Sequence, residues 1–249
     1  MFLTKGITKF GEYLCMMGRV IALPERWHMF FKQYIKEMVA LGVDSIGIVL
    51  LISFFIGAVI CIQIKLNIAS PWMPAFTTGY TTREIMLLEF SSSIMCLILA
   101  GKVGSNIASE IGTMRVTQQI DALEIMGVNS ASYLILPKVI ATVFFFPFLA
   151  IFSMLVGIAG GYVIAVATGI MNVSEYIDGL KYCFYTEEIT YALTKMAFFA
   201  FFITTISAYC GYYAKGNSLE VGKASTRAVV ISSIAIMICN LVLTQLIRT

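Results

Sequence analysis

An all-α integral membrane protein is the fold class that the sequence predicts, and composition and hydropathy lead to it. Hydrophobic residues make up 59% of the 249-residue chain, charged residues make up 12%, and the mean hydropathy is +0.88. A soluble domain has about 25% charged residues, so this composition excludes a typical soluble enzyme. Five apolar runs approach the roughly 20 residues that a helix needs to cross a bilayer. The runs are 46–62, 85–100, 139–167, 197–213 and 228–246.

Residues 1–45, which precede the first run, are predicted to form an amphipathic interfacial region. Apolar side chains recur every three or four residues in two stripes, with basic residues between them. A basic amphipathic helix with aromatic residues is typical of the membrane interface. The alternative is that the apolar faces pack on the other helices. The stripes consist of Leu3, Ile7, Phe10, Leu14, Met17 and Ile21, and, after Pro24, of Trp27, Phe30, Phe31, Tyr34, Ile35, Met38 and Leu41.

Residues 46–249 are predicted to form a five-span membrane domain. The third run is longer than one crossing requires, but no charge or polar turn divides it, so it is predicted to be a single helix. Gly157, Gly161, Ala165 and Gly169 recur at four-residue spacing along it. Small residues in such a row let helix backbones approach closely. This row predicts packing within the chain, with a seam between two copies as the alternative.

Lysine and arginine set the predicted orientation, because loops rich in these residues stay in the cytoplasm. Twelve of the 17 basic residues fall on the side that includes the amino terminus, and five fall on the other. The amino terminus is therefore predicted to be cytoplasmic. Five crossings then place the carboxyl terminus outside.

The link between the second and third runs, residues 101–137, is long for so small a membrane protein. Its apolar periodicity predicts one or two short helices that do not cross the bilayer. Gly127 is predicted to end a helix and Pro137 to begin the third spanning helix. The polar positions of the link offer a surface to a cytoplasmic partner, or else form a solvated face. They are Glu110, Arg115, Gln118, Gln119, Asp121 and Glu124.

Sites for catalysis, metal or nucleotide are not evident in the sequence. The six cysteines include no CxxC pair, and His28 is the only histidine, so a zinc site and a Ser-His-Asp triad are both disfavoured. No GxxxxGK[ST] phosphate loop occurs. The net charge of +3 comes without a clustered basic face, which argues against nucleic-acid binding. The chain is therefore predicted to be non-catalytic, with no cofactor of its own.

Two segments carry a resemblance to a known family. The run AGKVGSNIASEIGTMRVTQQIDALEIMGVN, followed by YLILPKVIA, and the later run GYYAKGNSLEVGKASTRAVV resemble the MlaE (YrbE) family. Its members are permease subunits of ABC transporters that work with MCE-domain proteins. The resemblance covers the chain from about residue 35 to its end.

The resemblance implies a mode of action and a set of partners. These are a second copy of the chain, a cytoplasmic ABC ATPase that binds ATP and Mg²⁺, and a periplasmic MCE-domain protein. The implied location is the bacterial inner membrane. The implied cargo is phospholipid, moved between that membrane and an MCE conduit to the outer membrane. An alternative from another class is an ion-coupled secondary transporter of an apolar substrate, with Glu89 as its proton site.

The resemblance also implies two sets of functional residues. The link between spans two and three matches the family's coupling helix, which seats in the ATPase, at Glu110, Gly112, Met114, Arg115, Gln119 and Glu124. Candidates for the lipid cavity are Glu89, Lys195 and Asn240. A carboxylate within a span is costly and is a functional hypothesis by default. Lys195 could instead snorkel to lipid headgroups.

Two features depart from the family pattern near these candidates. The family's glutamate is usually followed by a Gly-Pro kink, whereas Phe90 and Ser91 follow Glu89 here. Some relatives have aspartate where this chain has Asn240. The first departure puts a local bend in doubt, and the second weakens a role based on charge.

Overall fold

The computed structural model describes residues 2–21, 27–68, 74, 76–169 and 171–248, with backbone alone at 2–7 and 247–248. All regular elements in these ranges are helical. They are α1 (Phe2–Val20), α2 (Trp27–Glu37), π1 (Met38–Val43), α3 (Asp44–Asn67), α4 (Thr77–Ile85), π2 (Met86–Ile94), α5 (Met95–Leu99), π3 (Ala100–Gly104), α6 (Ser105–Val116), α7 (Gln119–Ile125), α8 (Ser130–Thr168), α9 (Val173–Lys181), α10 (Thr186–Tyr212) and α11 (Ser218–Arg248). The stretches π1, π2 and π3 are π-helical turns within longer helices.

Five helices in the described part of the chain are long and apolar enough to cross a membrane. They are Trp27–Asn67, Thr77–Val116, Ser130–Thr168, Thr186–Tyr212 and Ser218–Leu246. Each contains its predicted apolar run to within one residue, so the all-α membrane fold with five spans is confirmed. The third run is a single helix, as predicted.

The amino-terminal region differs from the prediction in its second half. Residues of α2 were predicted to form a separate interfacial helix, but α2 continues through π1 into α3 as one 41-residue helix. No proline interrupts the chain between Trp27 and Asn67, and Asp44 and Ser45 lie inside the helix instead of capping a new one. The boundary predicted at residue 45 falls inside it.

Helix α1 packs on the protein through a face other than the predicted apolar stripe. Met16 and Val20 are buried, whereas Phe10, Leu14 and Ile21 of the stripe are exposed. Leu3 and Ile7 lie outside the described side chains, and Pro24 and Arg26 lie outside the described residues. The exposed stripe does not pack on this chain, and its location at the membrane interface stays a prediction.

The link 101–137 also differs from the prediction, because its ends belong to spanning helices. Thr77–Val116 is continuous, so α6 extends the second span rather than forming a separate helix. The glycines at its start do not break it. A Cβ on Gly104 would lie 2.9 Å from Ser207 Oγ, so this glycine permits a close approach to α10.

The third spanning helix begins at Ser130, and the prediction that Pro137 begins it is wrong. Asn129 accepts a hydrogen bond from the backbone N–H of Ser132 at 3.3 Å, which is the bond of an N-cap. Only α7 remains as a separate short helix in the link. Gly127 follows it with φ of 77°, so its predicted role as a helix end is confirmed.

The chain forms two compact units, each made of three segments. The first unit comprises Met1–Asp44, Leu97–Phe145 and Phe198–Cys239. The second unit comprises Ser45–Cys96, Phe146–Ala197 and Asn240–Thr249. Each unit has its own apolar interior, with Ile107, Ile111 and Ile203 buried in the first and Met86, Phe90 and Phe146 buried in the second.

Close backbone approach holds α3 against α8 in the second unit. A Cβ on Gly57 would overlap the carbonyl oxygen of Gly157, and a Cβ on Gly160 would overlap that of Phe54. Gly161 lies beside the Tyr176 hydroxyl. Gly157, Gly161 and Ala165 of the predicted row therefore pack within the chain, whereas Gly169 follows the end of α8 and is exposed.

Candidate functional site

The three predicted lipid-cavity candidates converge in the second unit. Lys195 Nζ lies 3.5 Å from Glu89 Oε1, and Asn240 Nδ2 lies 3.4 Å from Glu89 Oε2. Ser93 Oγ lies 2.9 Å from Asn240 Oδ1 and 3.2 Å from Glu89 Oε2, and its one proton serves either acceptor. Thr244 joins them, with its Oγ1 3.4 Å from Lys195 Nζ. These five residues are called the Glu89 cluster.

Burial is unequal across the ion pair of the Glu89 cluster. The Lys195 side chain is 0% exposed, whereas the Glu89 side chain is 45% exposed. The Lys195 ammonium also faces the carbonyl of Leu88 at 3.5 Å and the ring of Tyr191 at 4.9 Å. All its polar contacts are long for hydrogen bonds. A buried cation with long contacts, beside a carboxylate that is open on one side, leaves room for a further polar group.

A π-helical stretch places Glu89. In π2, each turn holds an extra residue, and such stretches are frequent at functional sites. Ser92 donates a hydrogen bond to the Leu88 carbonyl at 3.0 Å. Ser153 donates to Ser91 at 3.2 Å. The serines that follow Glu89 therefore lie in a widened turn and form polar contacts within this helix and to α8.

Sequence reasoning missed Ser93, Thr244 and Tyr191 as neighbours of the three candidates. Each stands four residues from one of them, since Ser93 follows Glu89, Thr244 follows Asn240 and Tyr191 precedes Lys195. Residues four apart lie on one face of a helix. A polar or aromatic neighbour at that spacing was the signal that could have found them.

The predicted coupling residues lie in the first unit, and Glu110, Arg115 and Gly112 each contact other parts of the chain. Glu110 Oε2 accepts from Lys138 Nζ at 2.6 Å. Arg115 pairs with Asp121 at 2.6 Å. A Cβ on Gly112 would lie 3.1 Å from Val221, so this glycine lies against α11. The structure therefore gives these three residues contacts within the chain, and their contact with an ATPase stays a prediction.

Lys138 forms a buried ion triad with Glu37 and Glu110. Its ammonium lies 2.7 Å from Glu37 Oε2 as well as 2.6 Å from Glu110 Oε2. Lys138 and Glu37 are almost fully buried, and Glu110 is one-third exposed. Gln33 donates to the other Glu37 oxygen at 3.0 Å. The triad links α2, α6 and α8, and sequence analysis did not identify it.

Helix α7 carries two of the remaining coupling candidates, Gln119 and Glu124. Gln118, with φ of 59°, precedes it. At its other end the N–H of Gly127 bonds to the carbonyl of Glu124, and the N–H of Val128 bonds to that of Leu123. This pair of bonds is a Schellman motif. A residue in the left-handed backbone conformation thus separates α7 from the neighbouring helix at each end.

Exposure along α7 and the end of α6 points to a contact surface. Gln119 is exposed, and Met114 is half-buried. Two apolar residues are more exposed: Ile125 is 88% exposed, and Met126, which belongs to the apolar periodicity of the link, is 68% exposed. Large apolar side chains this exposed in a short polar segment are typical of a protein interface.

Glu124 holds the carboxyl end of α7 in place. Its Oε1 accepts hydrogen bonds from the hydroxyls of Tyr212 at 2.8 Å and Ser130 at 2.9 Å. These bonds, the Tyr212 bond most of all, lower the pKa of the Glu124 carboxyl. The carboxylate is therefore the form favoured at neutral pH, and this contribution to stability is lost as pH falls through the lowered pKa.

Comparison with known proteins identifies one family. The sequence model described as "Permease MlaE" matches residues 34–246. A relative in Rickettsia bellii, named "Probable ABC transporter permease protein", is 34% identical, with 98% of this chain and 93% of the relative covered.

Two further relatives come from distant organisms. The "Intermembrane phospholipid transport system permease protein MlaE" of Haemophilus influenzae is 30% identical, with 93% of this chain and 88% of the relative covered. "Protein TRIGALACTOSYLDIACYLGLYCEROL 1, chloroplastic" of Arabidopsis thaliana is 29% identical, with 92% of this chain and 65% of that protein covered.

Proposed function

This chain belongs to the MlaE permease family and is the membrane subunit of an ABC transporter, and from that premise we propose that its cargo is phospholipid. The name of the Haemophilus relative, a phospholipid transport permease, supports the cargo. The alternative of an ion-coupled secondary transporter does not fit an ABC permease family. Membership of the MlaE permease family also fits a non-catalytic subunit that associates with an ATPase.

The Glu89 cluster is the observation that carries the proposed cargo. A lysine ammonium is a compact point charge that suits phosphate. The headgroup would enter on the open side of Glu89, since the Lys195 side chain is fully buried. Its phosphate would reach the Lys195 ammonium once the side chains around it shift, and the ion pair to be opened is a long one, at 3.5 Å. Glu89 and Asn240 would then face the remaining polar atoms of the headgroup. In this reading the acyl chains lie against apolar span surfaces.

A second copy of the chain completes the proposed cavity. A half-exposed carboxylate within a span is costly against lipid, which favours a wall supplied by another subunit on the open side of Glu89. Helix α11 offers the apolar face for it. The apolar stretch of α11 is the least buried among the five candidate spans. Its exposed residues in the second unit include Leu241, Val242 and Leu246.

The ATPase is proposed to dock on α7 and to bind ATP and Mg²⁺ itself. Ile125 and Met126 form the apolar centre of the proposed contact, and Gln119 contributes a polar edge. Burying two large side chains of this kind is worth about 1.5–3 kcal/mol each. An MCE-domain protein is the proposed partner on the opposite side of the membrane.

One experiment tests cargo and assembly together. The chain is expressed with its tagged ATPase and MCE partner and purified in mild detergent for native mass spectrometry. We expect two copies of this chain, a P-loop ATPase and bound phospholipid. Lys195→Met is expected to lower the bound lipid without loss of the ATPase. A wild-type complex that carries no phospholipid would refute the cargo, and a chain that purifies without an ATPase would refute the assembly.

The proposed topology places the chain in the bacterial inner membrane, with the amino terminus in the cytoplasm and the carboxyl terminus in the periplasm. The distribution of lysine and arginine supports this orientation. A reporter enzyme that is active only outside the cytoplasm should be active when fused after Thr249. The same reporter fused before the first residue should be inactive. Activity in the reverse pattern would contradict the orientation.

A further inference from the structure

One hydroxyl group joins three helices of the first unit. Tyr212 is the last residue of α10, and its side chain is buried at 6% exposure. Its hydroxyl oxygen lies 2.8 Å from Glu124 Oε1 on α7 and 2.9 Å from Ser130 Oγ, at the first residue of α8. The carboxyl end of α7 is therefore tied to the ends of two spanning helices at one point.

The three groups have a definite proton count. The two hydroxyls hold one proton each, and an ionised Glu124 holds none. Both protons can go to Glu124 Oε1, which lies 2.8 Å from Tyr212 and 2.9 Å from Ser130. Hydrogen bonds to an ionised acceptor are roughly twice as strong as neutral ones. The lowered pKa of the Glu124 carboxyl agrees with this arrangement.

Other polar contacts of α7 are weaker links. Arg115 and Asp121 pair at 2.6 Å, but their side chains are about one-third and one-half exposed. Exposed ion pairs of this kind contribute little. The Arg115 guanidinium also lies 5.8 Å from the centre of the Tyr212 ring. Ile120 is buried and fixes the start of α7, which leaves Glu124 as the main polar tie at its end.

We propose that Tyr212 is a positioning residue that transmits displacement of α7 to the ends of α8 and α10. Because α7 is bounded by left-handed residues at Gln118 and Gly127, its orientation depends on side-chain contacts. This inference rests on the proposed docking of the ATPase to α7. An ATPase that moves α7 would act on Tyr212 through Glu124. Helix α10, which Tyr212 ends, also carries Lys195.

Tyr212→Phe tests the inference, because it removes the hydroxyl and keeps the ring over Arg115. The assay uses the full complex in vesicles and measures ATP hydrolysed per phospholipid transferred. We expect that ratio to rise about tenfold, the loss expected for one hydrogen bond to a charged group. ATPase association and the KM for ATP should stay unchanged. Tyr213→Phe is the matched control, since it removes the neighbouring hydroxyl and should leave the ratio unchanged.

Variants of Glu124 separate transmission from folding. Glu124→Gln keeps an oxygen acceptor and should retain most coupling, whereas Glu124→Ala should match Tyr212→Phe. The double variant with Tyr212→Phe and Glu124→Ala should be no worse than either alone, because each substitution already removes the hydrogen bond between Tyr212 and Glu124. A wild-type ratio in Tyr212→Phe would overturn the inference, as would additive effects in the double variant. A wild-type chain that does not bind its ATPase would instead refute the proposed function.

Discussion

Replacing Lys138 with methionine is expected to destabilise the protein by about 3–5 kcal/mol, because removing one partner of a buried ion pair leaves a charge without compensation. The uncompensated buried charge would be that of the Glu37 carboxylate, whose side chain is 4% exposed. Gln33 would still donate one hydrogen bond to it. The measurement is thermal unfolding of the purified chain in detergent, with the yield of monodisperse protein as a second readout.

Two further variants test the cause of that loss. Lys138→Met with Glu37→Gln removes both buried charges and should recover most of the stability, since neutral groups of similar shape often replace a buried pair at little cost. Glu110→Gln alone should cost less than Lys138→Met, because Glu110 is one-third exposed. An unchanged melting temperature in Lys138→Met would show that the triad does not stabilise the fold.

The triad also bears on tests of the coupling residues. Glu110→Lys would place a second ammonium beside Lys138, whose Nζ lies 2.6 Å from Glu110 Oε2. The substitution should therefore unfold the first unit locally as well as alter any ATPase contact. Ile125→Ser is a cleaner test of docking, because this side chain is 88% exposed and its loss should reduce ATPase association without lowering stability.

The second large effect is expected at the ion pair of the Glu89 cluster, and it should be asymmetric. Glu89→Leu leaves the fully buried Lys195 without its carboxylate, which should cost about 3 kcal/mol or more. Lys195→Met leaves a carboxylate that is open on one side, where it can be hydrated or take up a proton, and should therefore cost less than Glu89→Leu. Both variants should lose lipid transfer. Thermal unfolding and transfer into acceptor vesicles, measured on the same preparations, separate the two effects.

Conservative and reversed variants complete that test. Glu89→Gln keeps the size of the side chain and should insert normally while transfer falls. Exchanging the pair, as Glu89→Lys with Lys195→Glu, should recover stability relative to Glu89→Leu but not transfer, because the buried charge at the proposed phosphate position becomes negative. Normal transfer in either Glu89→Leu or the exchanged chain would contradict the proposed role of the cluster.

Local signals made much of the fold predictable. Each spanning helix was visible as an apolar run, because the free energy of transfer into lipid depends on composition over about 20 residues. Gly127 was predicted as a helix end because glycine is preferred after the last residue of a helix. Its φ of 77° is a conformation that glycine adopts at little cost. The start of the third span was predicted at Pro137, but the helix begins at Ser130. Asn129 caps it, and asparagine is a preferred N-cap residue.

The candidate site was only half predictable. Glu89 and Asn240 stand out in the sequence because a polar group within a span is costly, and the resemblance implied both the three lipid-cavity candidates and the coupling positions. The sequence did not show that these three residues contact one another, since Lys195 and Asn240 lie 106 and 151 residues from Glu89 along the chain. The same holds for Lys138, which meets Glu37 across 101 residues.

The sequence by itself determined the membrane class, the five spans and the family, because composition, periodicity and an ungapped motif are properties of neighbouring residues. Only the tertiary structure decided which polar side chains pair and which remain open. Those outcomes depend on desolvation and on distances between helices far apart in sequence. The clearest case is Glu110, which reads as a free surface residue in the sequence and is bonded to Lys138 in the fold.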